Sequence, residues 1–146
     1  IGNAIQQFWN DVIWGDLDYL LVDLPPGTSD APLTVMQSLP LDGIIVVSSP
    51  QELVGMVVKK AVKMANMMNL SVIGLVENYS YTICPRCKEK IEVFGKSRGE
   101  AGAEEAKVPY LGSLPIDYKL AKFCDEGRIE EYESTETKDI SSWVKI

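Results

Sequence analysis

The stretch Asp18-Tyr-Leu-Leu-Val-Asp-Leu-Pro-Pro-Gly-Thr28 runs apolar residues, Tyr19 to Val22, straight into an acid, two prolines and a glycine. The apolar run does not alternate, so both of its faces seek cover. That pattern predicts a central parallel strand rather than a half-exposed one. Asp23 then falls at the carboxyl edge of the sheet, where open α/β folds bind their ligands.

Further strands and helices alternate along the chain. Residues 2–14 carry apolar side chains at helical spacing, and Asp30–Ser38 reads as a short helix with Pro32 in its first turn. Gly43–Ser49 is a second non-alternating strand. Ser49-Pro-Gln-Glu52 follows as a helix start, with a capping serine, a first-turn proline and a returning acid. That helix is expected to run to about Asn69, its methionine-rich tail serving core packing or a subunit contact. Ser71–Glu77 is a third strand. An irregular loop with a short hairpin, 78–94, follows, then a helix over 96–107 and a fourth strand, Tyr110–Leu114. Asp117–Glu126 is another helix, and an acidic stretch, 130–137, leads to a terminal helix. Alternation of this kind predicts one α/β domain over residues 1–146, a doubly wound, mostly parallel sheet with right-handed crossovers.

Composition narrows the function. The 146 residues include 14 Lys and Arg against 21 Asp and Glu, a formal charge of −7. Nucleic acid and anionic membranes are therefore poor partners. No apolar run approaches the roughly 20 residues of a membrane span, and the opening IGNAIQQFWNDV carries no secretory signal. Histidine is absent, which removes Ser-His-Asp and Cys-His catalysis and His ligands to a metal. Three cysteines in such a chain do not suggest a disulfide framework. A first residue of Ile rather than Met fits a processed or partial polypeptide.

Three features could carry chemistry. Asp23 at its strand end looks like a Walker B acid, which orients water on nucleotide-bound Mg²⁺. Pro25 and Pro26 would stiffen the exit, and Gly27 would let the backbone approach a phosphate closely. The alternative is a strand and tight turn that Asp23 merely caps. The second feature is Cys84-Pro-Arg-Cys87. Two thiolates two residues apart can bind one metal in a knuckle, whereas zinc or an iron–sulfur cluster normally takes four ligands. Cys124, alone in a helical pattern, reads as a small core residue. Two chains meeting at a two-fold axis would complete the set. A thioredoxin-type pair should open a helix, and here a charged, strand-like run follows instead; unliganded cysteines are the plain alternative. The third feature is Val76-Glu-Asn-Tyr79 with Ser113-Leu-Pro-Ile-Asp117, both at carboxyl ends of strands. Asn78 could read a base edge or simply hold a turn.

Taken together, WGDLDYL (14–20), DLPPGTSD (23–30), Ser49-Pro-Gln51, VENYS (76–80), the cysteine pair, Phe94-Gly95 and LGSLPID (111–117) resemble the Mrp/ApbC iron–sulfur cluster carrier ATPases. Their wider class is the deviant-Walker P-loop ATPases that includes MinD and the ParA partition proteins. The resemblance covers about residues 1–127 in family order. It implies that Asp23 holds the Mg²⁺ water shell and that Gly27 senses the γ-phosphate of ATP. It implies that Asn78 contacts adenine, helped by backbone around Pro115 and Asp117. It implies that Cys84 and Cys87 share a 4Fe–4S cluster across a homodimer, with Zn²⁺ possible in the isolated protein. Apo iron–sulfur proteins would be the recipients, in the cytoplasm.

One departure is plain. No Walker A loop of the form GKGGxGK[ST] precedes Asp18, and Gly95-Lys-Ser-Arg-Gly99 lacks the required spacing. The chain therefore reads as the carboxyl-terminal part of such a domain, lacking the Walker A strand and loop and inactive as an ATPase by itself. Two other readings stand beside the carrier: a zinc-bridged dimerisation module without transfer activity, and a MinD-like positioning ATPase. The latter usually needs a basic amphipathic tail, and EEYESTE (130–136) has the opposite sign.

Overall fold

The computed structural model describes residues 2–25, 30–51 and 54–142. Strands β1 (Ile44–Ser48), β2 (Val72–Ile83) and β4 (Tyr110–Pro115) run parallel with β2 in the middle, and β3 (Lys90–Ile91) pairs antiparallel with the far end of β2. Helix α3 (Val54–Met67) carries the crossover from β1 to β2, and α4 (Gly99–Ala106) lies on the way to β4. Helices α1 (Gly2–Asp11) and α2 (Asp30–Ser38) precede the sheet. After it come α5 (Tyr118–Asp125), a 3₁₀ turn at Ile129–Glu131 and α6 (Thr135–Ser141). This is the expected α/β architecture with a mixed, mostly parallel sheet.

Apolar periodicity places the core. Val58, Val62 and Ala65 lie one to two turns apart on α3 and are buried. Val58 and Val62 join Val46 of β1, Leu75 of β2 and Ala103 of α4 in one cluster between helices and sheet. Burying each such Val or Leu side chain contributes about 1.5–3 kcal/mol. Asn69 ends α3 in the left-handed region, φ 57°, where Leu70 N–H can return to the Ala65 carbonyl at 3.0 Å. β2 and β4 approach closely at Gly74, where a Cβ would lie 2.6 Å from the Leu111 side chain and 2.7 Å from the Pro109 carbonyl.

Three expectations are corrected. Helix α1 stops at Asp11, three residues early. Residues 18–23 form no strand: Leu21 is 87% exposed, and Tyr19, Leu20 and Val22 are exposed with it. A strand needs a laddered neighbour, and among the described residues none pairs with this run. Nor does any pair with the second edge of β1, where Val47 is 62% exposed. β2 continues to Ile83 where a loop was expected from Asn78. The methionine-rich tail of α3 is partly covered, with Met67 facing solvent. The capping acid Glu52 lies outside the described residues.

Candidate functional site

The cysteine pair forms the tip of a hairpin. β2 and β3 pair through Thr82 with Ile91 and Ile83 with Lys90, and Cys84 N–H continues the ladder to the Glu89 carbonyl at 2.9 Å. Lys88 N–H closes the turn on the Cys84 carbonyl at 3.0 Å, with Lys88 itself left-handed at φ 62°. The turn folds the chain back over the first sulfur. Backbone N–H groups of Cys87 and Arg86 point at Cys84 Sγ and, with the Cys87 thiol and the Lys88 charge, hold the Cys84 thiol below its ordinary pKa. Donors aimed at a sulfur favour the thiolate, the form that ligates a metal.

Cys84 is half-buried and Cys87 exposed, and neither is in a disulfide. Among the described residues no group of three or more His, Cys, Asp or Glu could enclose a metal. The hairpin thus presents two ligands side by side on an open surface, flanked by exposed Ile83, Ile91, Val93 and Phe94. Lys90 Nζ lies 4.1 Å over the ring of Tyr81 at the hairpin base, and the Tyr81 hydroxyl donates to Glu136 of α6 at 3.3 Å. Burial first, then Glu136, raises the Tyr81 pKa. Cys124 is exposed on α5 rather than in the core, because α5 has no buried residue at all.

Asn78 lies on the same strand, six residues before Cys84. Between Glu77 and Tyr81 the ladder with β4 is irregular: Glu77 pairs with Ser113 and Tyr81 with Pro115. The extra β2 residues bulge, Tyr79 turns left-handed at φ 60°, and its N–H meets Asn78 Oδ1 at 2.9 Å. The pairing brings Pro115 and the loop to Asp117 beside this bulge. Ile116 N–H donates to the Tyr81 carbonyl at 2.6 Å, and Thr82 Oγ1 to the Ile116 carbonyl at 3.2 Å. The Asp117 carboxylate caps α5, accepting Lys119 N–H at 2.8 Å and the Tyr132 hydroxyl at 3.0 Å.

Asp23 lines a groove that, among the described residues, none of these borders. The acid is exposed, and it shares this open, mostly apolar groove of about 380 Å³ with Trp9, Trp14, Leu20 and Val35. Gly27 lies outside the described residues. One residue of the site was missed by sequence reasoning: Glu77, fully buried, accepts the Ser80 hydroxyl on Oε2 at 2.6 Å and Arg98 N–H on Oε1 at 2.8 Å. The available signal was an acid directly continuing the apolar run Val72–Val76, with no break before it.

The chain is similar to several known proteins. An iron–sulfur cluster carrier protein of Methanocaldococcus jannaschii is 47% identical over 128 residues, 87% of this chain and 44% of the relative. A cytosolic Fe–S cluster assembly factor Nubp2 homologue of Aedes aegypti is 46% identical over 127 residues, 85% of this chain and 49% of that protein. A solved structure of a nucleotide-binding protein from Archaeoglobus fulgidus in complex with ADP superposes with a TM-score of 0.85 at 46% identity. That match covers 94% of this chain and 56% of the other. The chain spans about half the length of the curated relatives it matches. The family model described as ParA, NUBPL iron-transfer P-loop NTPase, matches residues 1–145, and the chain belongs to that family.

Proposed function

We propose that this chain is the carboxyl-terminal part of an ATP-dependent iron–sulfur cluster carrier, in which two copies pool their cysteine pairs around one 4Fe–4S cluster and pass it to apo iron–sulfur proteins. The observation that carries this reading is the surface knuckle: two adjacent thiols, backbone donors aimed at Cys84, and no further ligand within the described residues. An open half-site suits cargo that must arrive and leave, and the apolar flank Ile83, Ile91, Val93 and Phe94 suits a homodimer contact.

The remaining roles follow from position. Asn78, in the β2 bulge, and the backbone from Pro115 to Asp117, beyond the end of the paired strand, would bracket adenine, the Asp117 side chain being occupied by its cap. Asp23 would orient Mg²⁺-bound water, and Gly27 would meet the γ-phosphate. Both need a Walker A segment, which would supply the phosphate-binding Lys and a hydroxyl for Mg²⁺. The uncovered run 19–22 and the second edge of β1 mark where its strand would pair. A chain beginning at Ile1 should therefore show no ATP turnover. We infer a cytoplasmic setting from the relative named as a cytosolic Fe–S cluster assembly factor.

Anaerobic reconstitution with iron and sulfide tests the reading. It should give brown protein with about one cluster per two chains, lost in Cys84→Ser and kept in Cys124→Ser. Colourless protein that retains zinc and takes up no cluster would instead make this a zinc-bridged dimerisation module.

A further inference from the structure

Glu77 touches neither proposed ligand, yet it stands at the neck of the segment that carries residues for both. The excursion from Asn78 to Ser97 carries the β2 bulge, the outer end of β2 and the cysteine hairpin, and it closes at Arg98, just before α4. The two carboxyl oxygens tie the start of the excursion to its end: Oε2 accepts the Ser80 hydroxyl at 2.6 Å, which also reaches the Glu77 carbonyl at 3.0 Å, and Oε1 accepts Arg98 N–H at 2.8 Å. The grip is enclosed. Glu77 is 0% exposed, and a Cβ on Gly99 would come within 2.9 Å of Glu77 Cβ and 2.6 Å of the Tyr110 ring.

Between these ends the excursion has few ways to shift independently. Asn78 is adjacent to Glu77 in sequence. Ser80, the gripped residue, leads through Tyr81 and Thr82, both bonded to Ile116, to the ladder that ends on Cys84. A buried group holding two chain segments by both oxygens costs more to disturb than a surface contact, because a lost partner leaves a buried polar atom unmatched.

We propose that Glu77 is a positioning residue that sets the Asn78 bulge and the cysteine hairpin together, so that one side chain governs base recognition and cluster retention alike. The proposal rests on the carrier reading of the two sites. Removing the carboxyl takes the acceptor from Arg98 N–H and leaves the Ser80 hydroxyl only the Glu77 carbonyl, at 3.0 Å. Asn78 is then presented less rigidly, and the base of the hairpin keeps only its bonds to Ile116 and its pairing with β4. The Glu77→Gln change would retain an acceptor for Arg98 N–H and place an amide donor against the Ser80 oxygen, so it should preserve the clasp.

The test uses full-length protein carrying its Walker A segment, well below the melting temperature of every variant. Binding of ATP and GTP is measured by calorimetry, and cluster loss to a chelator by the decay of visible absorbance. In Glu77→Ala we expect ATP affinity to fall about tenfold, ATP-over-GTP preference to shrink towards unity, and cluster loss to accelerate several-fold. Glu77→Gln should restore all three, and Ser80→Ala, which removes one grip only, should fall between. Should Glu77→Ala melt too low for these readings, Ser80→Ala against Glu77→Gln decides. Wild-type nucleotide preference and chelator kinetics in a folded Glu77→Ala or Ser80→Ala protein would overturn the proposal. So would loss of one property without the other. Wild-type protein that takes up neither nucleotide nor cluster would instead defeat the carrier reading itself.

Discussion

Alanine substituted for Gly74 and, separately, for Gly102 should move stability in opposite directions. At Gly74 a methyl group would sit 2.6 Å from Leu111 Cγ and Cδ2 and 2.7 Å from the Pro109 carbonyl. That carbonyl accepts Leu75 N–H at 2.8 Å and so cannot withdraw without breaking the β2–β4 ladder. Overpacking of this kind costs about 1–3 kcal/mol. Gly102, in the middle of α4, has open space around it, with nothing within 4 Å of where a methyl group would stand. Alanine there removes the entropic cost of a helical glycine and should gain roughly 0.5–1 kcal/mol. At about 2–4 °C per kcal/mol for a chain of this size, the two variants should melt roughly 3–16 °C apart, on either side of wild type. Thermal unfolding followed by far-ultraviolet circular dichroism in one buffer measures this. A Gly74→Ala protein melting at or above wild type, or both variants shifting the same way, would refute the packing argument.

Leu21→Glu should leave the isolated chain within about 0.5 kcal/mol of wild type, as expected for an exposed position, since Leu21 is 87% exposed. In protein that includes the Walker A segment the same change should cost several kcal/mol, and equal urea midpoints in the two settings would contradict the strand-pairing proposal. Asp117→Ala should cost about 0.5–2 kcal/mol through loss of the α5 cap, read as a lower urea midpoint. Burial, aided by Glu136, Glu77 and Asp117 respectively, raises the phenol pKa values of Tyr81, Tyr110 and Tyr132. The folded chain therefore binds more protons than the unfolded one above the ordinary tyrosine pKa of about 10. Stability from these groups is intact below that pH and lost as pH rises through their folded values. Urea midpoints should fall at strongly alkaline pH, and Tyr110→Phe should blunt the fall; an unchanged slope would argue against it.

Legibility in the sequence followed the range of the forces involved. The helix Asp30–Ser38 forms over the residues its pattern marks, and the strand at Gly43–Ser49 forms within a residue of each expected end, because local periodicity and turn chemistry decide them. The cysteine pair and its hairpin were legible for the same reason. Residues 18–23 demand cover on both faces, but a pattern of demand does not say whether the neighbour is at hand. The continuation of β2 through Ile83 was hidden because Asn78 and Tyr79 read as a turn. They do turn, as a bulge inside a strand whose pairing with β4 resumes at Tyr81. Glu77 was hidden because its partners, Ser80 Oγ and the backbone of Arg98, include one fixed only by tertiary contact. Cys124 was misplaced because helical spacing cannot tell a covered face from one left bare.

The pair of sulfurs at the hairpin tip has a consequence for how loading would respond to abundance. Where each polypeptide contributes half of a coordination sphere, assembly is second order in protein. When little is assembled, diluting the protein twofold would reduce the shared complex about fourfold at constant iron and sulfide, by mass action alone. A cell could then unload its carriers by thinning their number, without any change in the hairpin.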